Sequence, residues 1–241
     1  GLEMGSVWRR LGSEVVLLEA VDDFLPVIDR DMAKIAQREF KKQGLDIRMG
    51  CKVSGATVKD GKVEVTYSDG KDEHTEVFDK LLVAVGRKAA SEGLLSDDSG
   101  VKLTDRGQVE VDGHCRTAAD GVWAIGDLVR GPMLAHKASE EGIAVAETLA
   151  GQSGHINLDT IPWVIYTDPE IAWVGKAEAE LKDAGTEYRV GTFPFAATGR
   201  GLAMGNAAGQ VKIVADAETD ELLGCQIIGA NASELIGEVV V

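Results

Sequence analysis

The chain has no pair of cysteines spaced to form a redox disulfide. Its three cysteines, Cys51, Cys115 and Cys225, lie far apart and make no CxxC, no CxxxxC and no zinc spacing. An odd, dispersed set fits a reducing compartment, with each cysteine a buried small residue rather than a nucleophile. No apolar run approaches the ~18 residues of a membrane span, so no membrane partner is expected. No basic n-region or cleavage-site pattern opens the chain. Positive charge is short as well: 25 Lys and Arg face 40 Asp and Glu, for a formal net charge of −15. Such a field repels phosphate backbones and argues against nucleic acid as a partner. His74, His114, His136 and His155 do not fall at ligand spacing with Cys or carboxylates, so no metal site is expected. No Ser-His-Asp set emerges from the spacing either. Proline is scarce at 5 residues, whereas glycine is abundant at 29 and interleaved with apolar runs, as suits a nucleotide-binding α/β protein.

What is present reads first as alternating helices and short buried strands. Leu2, Met4, Val7, Trp8 and Leu11 recur at helical spacing, and Gly12 supplies a stop. Val15 to Leu18 is a short apolar run, as expected of a buried parallel strand. Met32, Ile35, Ala36 and Phe40 mark one face of a second helix, ended by Gly44, and Leu45 to Met49 reads as another strand. Helix, strand, helix, strand implies a doubly wound sheet with right-handed crossovers. A β-rich insert follows: Val63, Val65 and Tyr67 alternate, Asp69-Gly70 marks a turn, and Val77-Phe78 returns. Further strands are predicted at Leu81 to Val85, at Val109 to Val111 and at Val122 to Ile125, with a polar boundary stretch between about Ala89 and Gly107. A helix is predicted from about Leu134 to Leu149.

From Ile161 onward the texture becomes that of an α+β domain. Strands are predicted at Trp163–Tyr166, Tyr188–Phe195, Gln210–Val214 and Leu222–Ile228, and a helix near Ala177–Ala184. Trp163 and Trp173 read as core residues. Asn231 followed by Glu234 resembles a capping box, after which Leu235, Ile236, Val239 and Val240 continue an apolar face to Val241. Gly1 opens directly into a helix. The expectation is therefore a fragment lacking both ends.

Two constellations carry chemistry. Gly1-Leu2-Glu3 stands where the last glycine of a G-x-G-x-x-G turn belongs, at the start of a helix whose N-terminus receives pyrophosphate. Glu19 follows the next strand at the right distance to accept hydrogen bonds from ribose hydroxyls, and its charge disfavours a 2′-phosphate. The plain alternative is a surface glutamate closing a strand. In the second, Gly126-Asp127 ends a strand. The glycine permits close approach and the aspartate can bind a ribose or ribityl hydroxyl, although Gly-Asp is also common in ordinary turns. From spacing alone the chain offers cofactor binding but no complete catalytic site.

The runs GLEMGSVWRRLGSEVVLLEA (1–20), AVGRK (84–88), VWAIGDLVRGPMLAHKASEEG (122–142), IPWVIYTDPEIAWVG (161–175), FPFAATGRGLAMG (193–205) and LLGCQIIGANASELI (222–236) resemble the dihydrolipoyl dehydrogenases of the class I pyridine nucleotide-disulfide oxidoreductase family. The resemblance covers essentially the whole chain, in family order. It implies a Rossmann-like NAD domain at 1–88, the C-terminal segment of an FAD domain at 89–157 and an antiparallel interface domain at 158–241 that pairs two subunits into a homodimer. It implies cofactor contacts from Gly1, Leu2 and Glu3 (the last near the nicotinamide), from Glu19 at the adenosine ribose, from Val53 beside the adenine and from Gly86 against NAD. Asp127 would bind the ribityl chain of FAD, and Met133, Leu134, Ala135 and His136 would run along the isoalloxazine. Thr198-Gly199 stand where Asn-Ser is common before Arg200, and Asp168 where His is frequent.

The family's disulfide and its catalytic His-Glu pair are expected outside this chain. The fragment alone is therefore expected to be inactive on lipoamide. The whole parent is expected to oxidise the lipoyl domains of 2-oxo-acid dehydrogenase or glycine cleavage complexes. Its expected compartment is the cytoplasm of a bacterium, with the mitochondrial matrix as the other choice. The rivals are another flavin disulfide reductase, a soluble transhydrogenase, and a catalytically dead dimerisation module.

Overall fold

The computed structural model describes residues 1–241. The chain falls into two compact units, one formed by Gly1–Ala84 with Pro162–Val241 and the other by Val85–Ile161.

The first unit begins with helix α1 (Leu2–Arg10), strand β1 (Val16–Leu18), helix α2 (Arg30–Lys42) and strand β2 (Asp46–Arg48). β1 and β2 pair in parallel with Val16 opposite Asp46, as the alternating pattern predicts. Both helices stop in the same way. Gly12 (φ +98°) and Gly44 (φ +85°) follow the C-caps, and the next amides, Ser13 and Leu45, bond back to the carbonyls of Trp8 and Phe40. A side chain at Gly44 would also strike the Arg9 guanidinium, whose Nε donates to the Gln43 carbonyl at 2.9 Å.

α2 buries the predicted face: Met32, Ala36 and Phe40 are fully inaccessible. Burial of the Met32 and Phe40 side chains contributes about 1.5–3 kcal/mol each. α1 departs from expectation. Its buried residues are Gly5 and Ser6, while Met4, Val7 and Trp8 stay partly exposed. The reason is close approach: a Cβ on Gly5 would sit 3.4 Å from Val15 and from Leu17, so the helix lies on its small residues.

An antiparallel sheet follows from β3 (Lys52–Lys59), β4 (Lys62–Ser68) and β5 (Glu73–Phe78). β4 and β5 match the predicted alternation, with Val65 and Tyr67 buried. β3 shows no such pattern because all eight of its residues are exposed. Its turn, Asp60-Gly61, has both residues at positive φ, as a two-residue hairpin requires. At the other hairpin, Asp69 Oδ1 accepts the amides of Lys71 and Asp72, which fixes the predicted turn.

The same unit holds a five-stranded antiparallel sheet in the order β6-β7-β10-β9-β8, from β6 (Trp163–Ile165), β7 (Glu170–Gly175), β8 (Tyr188–Pro194), β9 (Gln210–Asp216) and β10 (Leu222–Gly229). The short helices α4 (Glu178–Ala184) and α5 (Gly199–Ala203) lie between strands; α5, five residues long, gave no sequence signal. Central strand β10 is buried on both faces. Ile228 joins Ile171 against α2, while Cys225 and Ile227 join Ala172 and Val174 on the opposite face, under Ala232 and Ile236. Trp173 packs on the α2 side and stacks on Trp163, which is itself 38% exposed and so not the core residue expected.

The C-terminal capping box is a correction. Asn231 makes no side-chain cap bond and has φ +60°. The Glu170 carboxylate instead reaches from β7 and accepts the Ser233 amide at 2.9 Å. The helical face then splits at Ile236 into α6 (Ala232–Leu235) and α7 (Gly237–Val240).

The second unit has one long helix, α3 (Ala135–Leu149), as predicted, and little regular strand. Three expected strands are corrected. Residues 81–85 form no ladder, with Val83 71% and Val85 92% exposed. Their apolar pattern suits a buried strand, but no strand pairs with them. Val109 and Trp123 each make a single bridge, to Leu103 and Arg116, and the Val109 and Glu110 amides bond to the Leu128 and Lys102 carbonyls. No helix of the chain is long and apolar enough to cross a membrane.

Candidate functional site

In the first unit the chemistry gathers at the C-terminal end of β1. Gly1 caps α1, and no side chain caps the first-turn amides, which leaves an N-terminus with donors and positive dipole. A Cβ on Gly1 would lie 3.5 Å from Leu17 and 3.9 Å from Ala84, so the backbone there lies close against both segments. Glu19 follows β1 directly. Its main chain continues the pairing, donating to Arg48 and accepting from Cys51, and its carboxylate accepts the Val21 amide at 3.2 Å. The side chain is thereby held at the surface with lone pairs left to accept hydroxyls. Val53 sits half-exposed on β3, two residues beyond Cys51. Leu2 packs on the α2 core, whereas the Glu3 carboxylate turns to accept the Tyr166 amide at 2.8 Å. Asp168 is used nearby: its carbonyl accepts from Gln43, and its carboxylate faces the Arg10 guanidinium at 3.9 Å.

In the second unit Gly86 (φ +108°) is exposed, in a conformation that disfavours any side chain. Gly126 opens a short 3-10 turn, Gly126–Leu128, at φ +75°, where a Cβ would meet Ala138 of α3 at 3.4 Å. Asp127 is exposed on that turn. Met133 and Leu134 are half-buried, and Ala135 and His136 are exposed in the first turn of α3, whose N-terminus also lacks a side-chain cap. The Asp127 carboxylate can accept hydroxyls, and the uncapped N-terminus of α3 can donate to an anion beside an apolar strip.

Beneath this surface lies a group that the sequence did not single out as a site. Lys137 and Glu141, four apart on α3, are both fully buried and 3.0 Å apart. Lysine-glutamate pairs at this spacing usually decorate a solvated helix face, so the sequence carries no signal for burial beyond Gly126 and Ala138 being small.

No thiol pair exists. Cys51, Cys115 and Cys225 are free and buried. Burial raises all three thiols, Cys225 to about 11, so each is protonated at neutral pH. The carboxylates of Asp29, Asp31 and Glu178 do cluster, but the Lys212 ammonium occupies their midst, 3.0 Å from Asp29 and 2.8 Å from Asp31. Burial alone would lower Lys212; bonds to Asp31, Glu178 and Asp29 outweigh it and hold the ammonium above its ordinary value.

Residues 1–142 match the model of the pyridine nucleotide-disulphide oxidoreductases, and residues 161–241 match the dimerisation domain of the same proteins. The chain belongs to the pyridine nucleotide-disulphide oxidoreductase family. FAD and NAD are the cofactors of this family. Over its whole length the chain is 56% identical to a dihydrolipoyl dehydrogenase of Cupriavidus necator, covering 51% of that protein. It is 46% identical, again over its whole length, to a mitochondrial dihydrolipoyl dehydrogenase of Pisum sativum, covering 48% of it. Among solved structures, LpdA from Mycobacterium tuberculosis superposes with a TM-score of 0.91 at 26% identity, over 99% of this chain and 52% of that one. The HOCl-induced flavoprotein disulfide reductase of Escherichia coli gives 0.88 at 29%, over 99% and 55%. The chain thus spans about half the length of the curated relatives it matches.

Proposed function

We propose that the chain is part of a dihydrolipoyl dehydrogenase, whose whole protein oxidises protein-bound dihydrolipoamide to lipoamide and passes hydride to NAD. The observation that carries this reading is the 56% identity along the entire chain to a protein of that name. Residues 1–88 serve as the NAD-binding domain, 89–157 as the C-terminal segment of the FAD-binding domain and 158–241 as the interface domain of a homodimer. FAD, when bound, supplies the redox relay between a thiol pair and the nicotinamide. The thiol pair lies outside these 241 residues, so the chain alone is inactive on lipoamide.

Glu19 accepts the adenosine ribose hydroxyls. Its charge-assisted bonds are worth roughly 1.5–3 kcal/mol each. Gly1, Leu2 and Glu3 bring the α1 N-terminus to NAD, with Val53 beside the adenine and Gly86 allowing backbone approach. Asp127 accepts from the ribityl chain of FAD, and Met133, Leu134, Ala135 and His136 line its ring. The partners are a second copy of the protein and lipoyl domains of 2-oxo-acid dehydrogenase or glycine cleavage complexes. The compartment is the bacterial cytoplasm, a choice supported by the Cupriavidus relative and by three unpaired buried thiols.

The likeness to the Escherichia coli disulfide reductase favours a second reading, in which the whole protein reduces another disulfide. Purified full-length protein separates the two. NAD reduction driven by dihydrolipoamide supports the first; flavin-dependent NADH oxidation by other acceptors, without dihydrolipoamide turnover, supports the second. In the same protein Glu19→Ala should weaken NAD binding about tenfold or more. An unchanged dissociation constant would remove Glu19 from the site.

A further inference from the structure

Gly126 is gripped on both sides. Its amide donates to Glu141 Oε2 at 2.7 Å, and its carbonyl accepts from Lys137 Nζ at 2.8 Å. The peptide that follows is planar, so fixing the Gly126 carbonyl also fixes the nitrogen and Cα of Asp127. The Val129 amide closes the 3-10 turn on that same carbonyl at 3.2 Å. Lys137 then reaches the far end of the loop, donating to the Arg130 carbonyl at 3.1 Å, and spends its third proton on Glu141 Oε2 at 3.0 Å. One ammonium therefore holds both ends of the segment 126–130 with all three of its donors used. Glu141 Oε1 accepts no hydrogen bond and faces the Arg130 guanidinium at 3.6 Å.

The arrangement is costly for the fold. Two charges with 0% side-chain exposure are taken out of water, and well-packed apolar residues of the same volume are often as stable or more so. What an apolar pair could not do is bond the Gly126 peptide from both sides. Lys137 also directly follows the strip Met133 to His136, and Asp127 directly follows Gly126. The clamp thus ties the two surfaces that the proposed function sets against FAD.

We propose that Lys137 and Glu141 are positioning residues for FAD, which fix the Asp127 carboxylate relative to the first turn of α3. This rests on the proposed function, because Asp127 and residues 133–136 are cofactor groups only in that reading. The pair does not touch the cofactor; it acts through the Gly126 peptide.

The test uses the full-length dimeric protein. FAD is removed and titrated back, with flavin fluorescence giving the dissociation constant and thermal melting of the apoprotein giving stability. Lys137→Met and Glu141→Gln should each weaken FAD binding at least tenfold. The double variant, Lys137→Met with Glu141→Leu, removes both buried charges. Its melting midpoint should recover to or above those of the single variants, while FAD binding stays at least tenfold weakened. Lys212→Met, in the other unit, should lower the melting midpoint and leave FAD affinity within twofold of the parent.

Recovery of both stability and FAD affinity in the double variant would show a merely structural ion pair and overturn the proposal. Single variants that bind FAD like the parent would overturn it as well. A double variant that does not fold would make the pair a requirement of the fold, which also counts against a positioning role. A parent that binds no FAD would overturn the proposed function itself, so the two failures are distinct.

Discussion

Lys212 and Lys137 are both inaccessible to solvent, and each ammonium meets three oxygens. Around Lys212 all three are carboxylates, drawn from the start of α2 and from α4, on side chains ranging from buried Asp29 to half-exposed Asp31. Around Lys137 only one is a carboxylate; the others are main-chain carbonyls of a single loop. The first site carries excess negative charge and joins separate elements, with Asp29 also accepting the Glu178 amide at 2.9 Å. The second sets one carboxylate between the Lys137 ammonium and the Arg130 guanidinium and fixes a backbone. Burying a lysine has thus produced a joint between elements in one region and a clamp on one loop in the other.

The largest test of this contrast is Lys212→Met. It strands Asp29 as a buried carboxylate beside two others, and breaking such a cluster costs about 3–5 kcal/mol. Denaturant unfolding of the full-length protein measures it. A loss below about 1 kcal/mol would mean that the three carboxylates relax apart, and that Lys212 is no joint.

A second test uses pH. Glu178 is held below its usual 4.5, chiefly by its bond from Lys212 and further by Tyr188. A lowered folded value gives stability that is present above 4.5 and lost as the pH falls through that folded value. The unfolding free energy of the parent should therefore fall between about pH 5 and pH 3 more steeply than that of Lys212→Met. Equal slopes would break the argument.

Glu170 offers a smaller case, a carboxylate that crosses between elements with no lysine. Glu170→Ala should cost ~1 kcal/mol, as loss of a helix cap does. Smaller still is Arg130→Leu. Its guanidinium is 34% exposed and 3.6 Å from Glu141, so the expected loss is within about 1 kcal/mol.

Legibility in the sequence followed the same physics. α2 and the strands β9 and β10 were readable because one or two faces are buried and the apolar period records it. β3 was not, since nothing on it is buried, and the run at 81–85 misled because its apolar residues are exposed and no strand pairs with them. The position of Glu19 just past β1 and of Asp127 in a glycine turn was readable because local spacing sets both. The Lys137–Glu141 clamp was not, because burial of an i, i+4 pair depends on a loop seven or more residues away. Asn231 misled in the same way: a local cap signal was overridden by Glu170, 63 positions before the Ser233 amide it accepts.

The stacked indoles of Trp163 and Trp173 lie 5.5 Å apart and within 10° of parallel, in register across β6 and β7. Two chromophores held so closely couple their transitions and give an ultraviolet circular-dichroism couplet that neither gives alone. β6 is a three-residue edge strand, and the couplet is lost once it lifts from β7. The protein therefore carries an optical reporter of its own sheet edge, readable at wavelengths where flavin and nicotinamide changes can be subtracted.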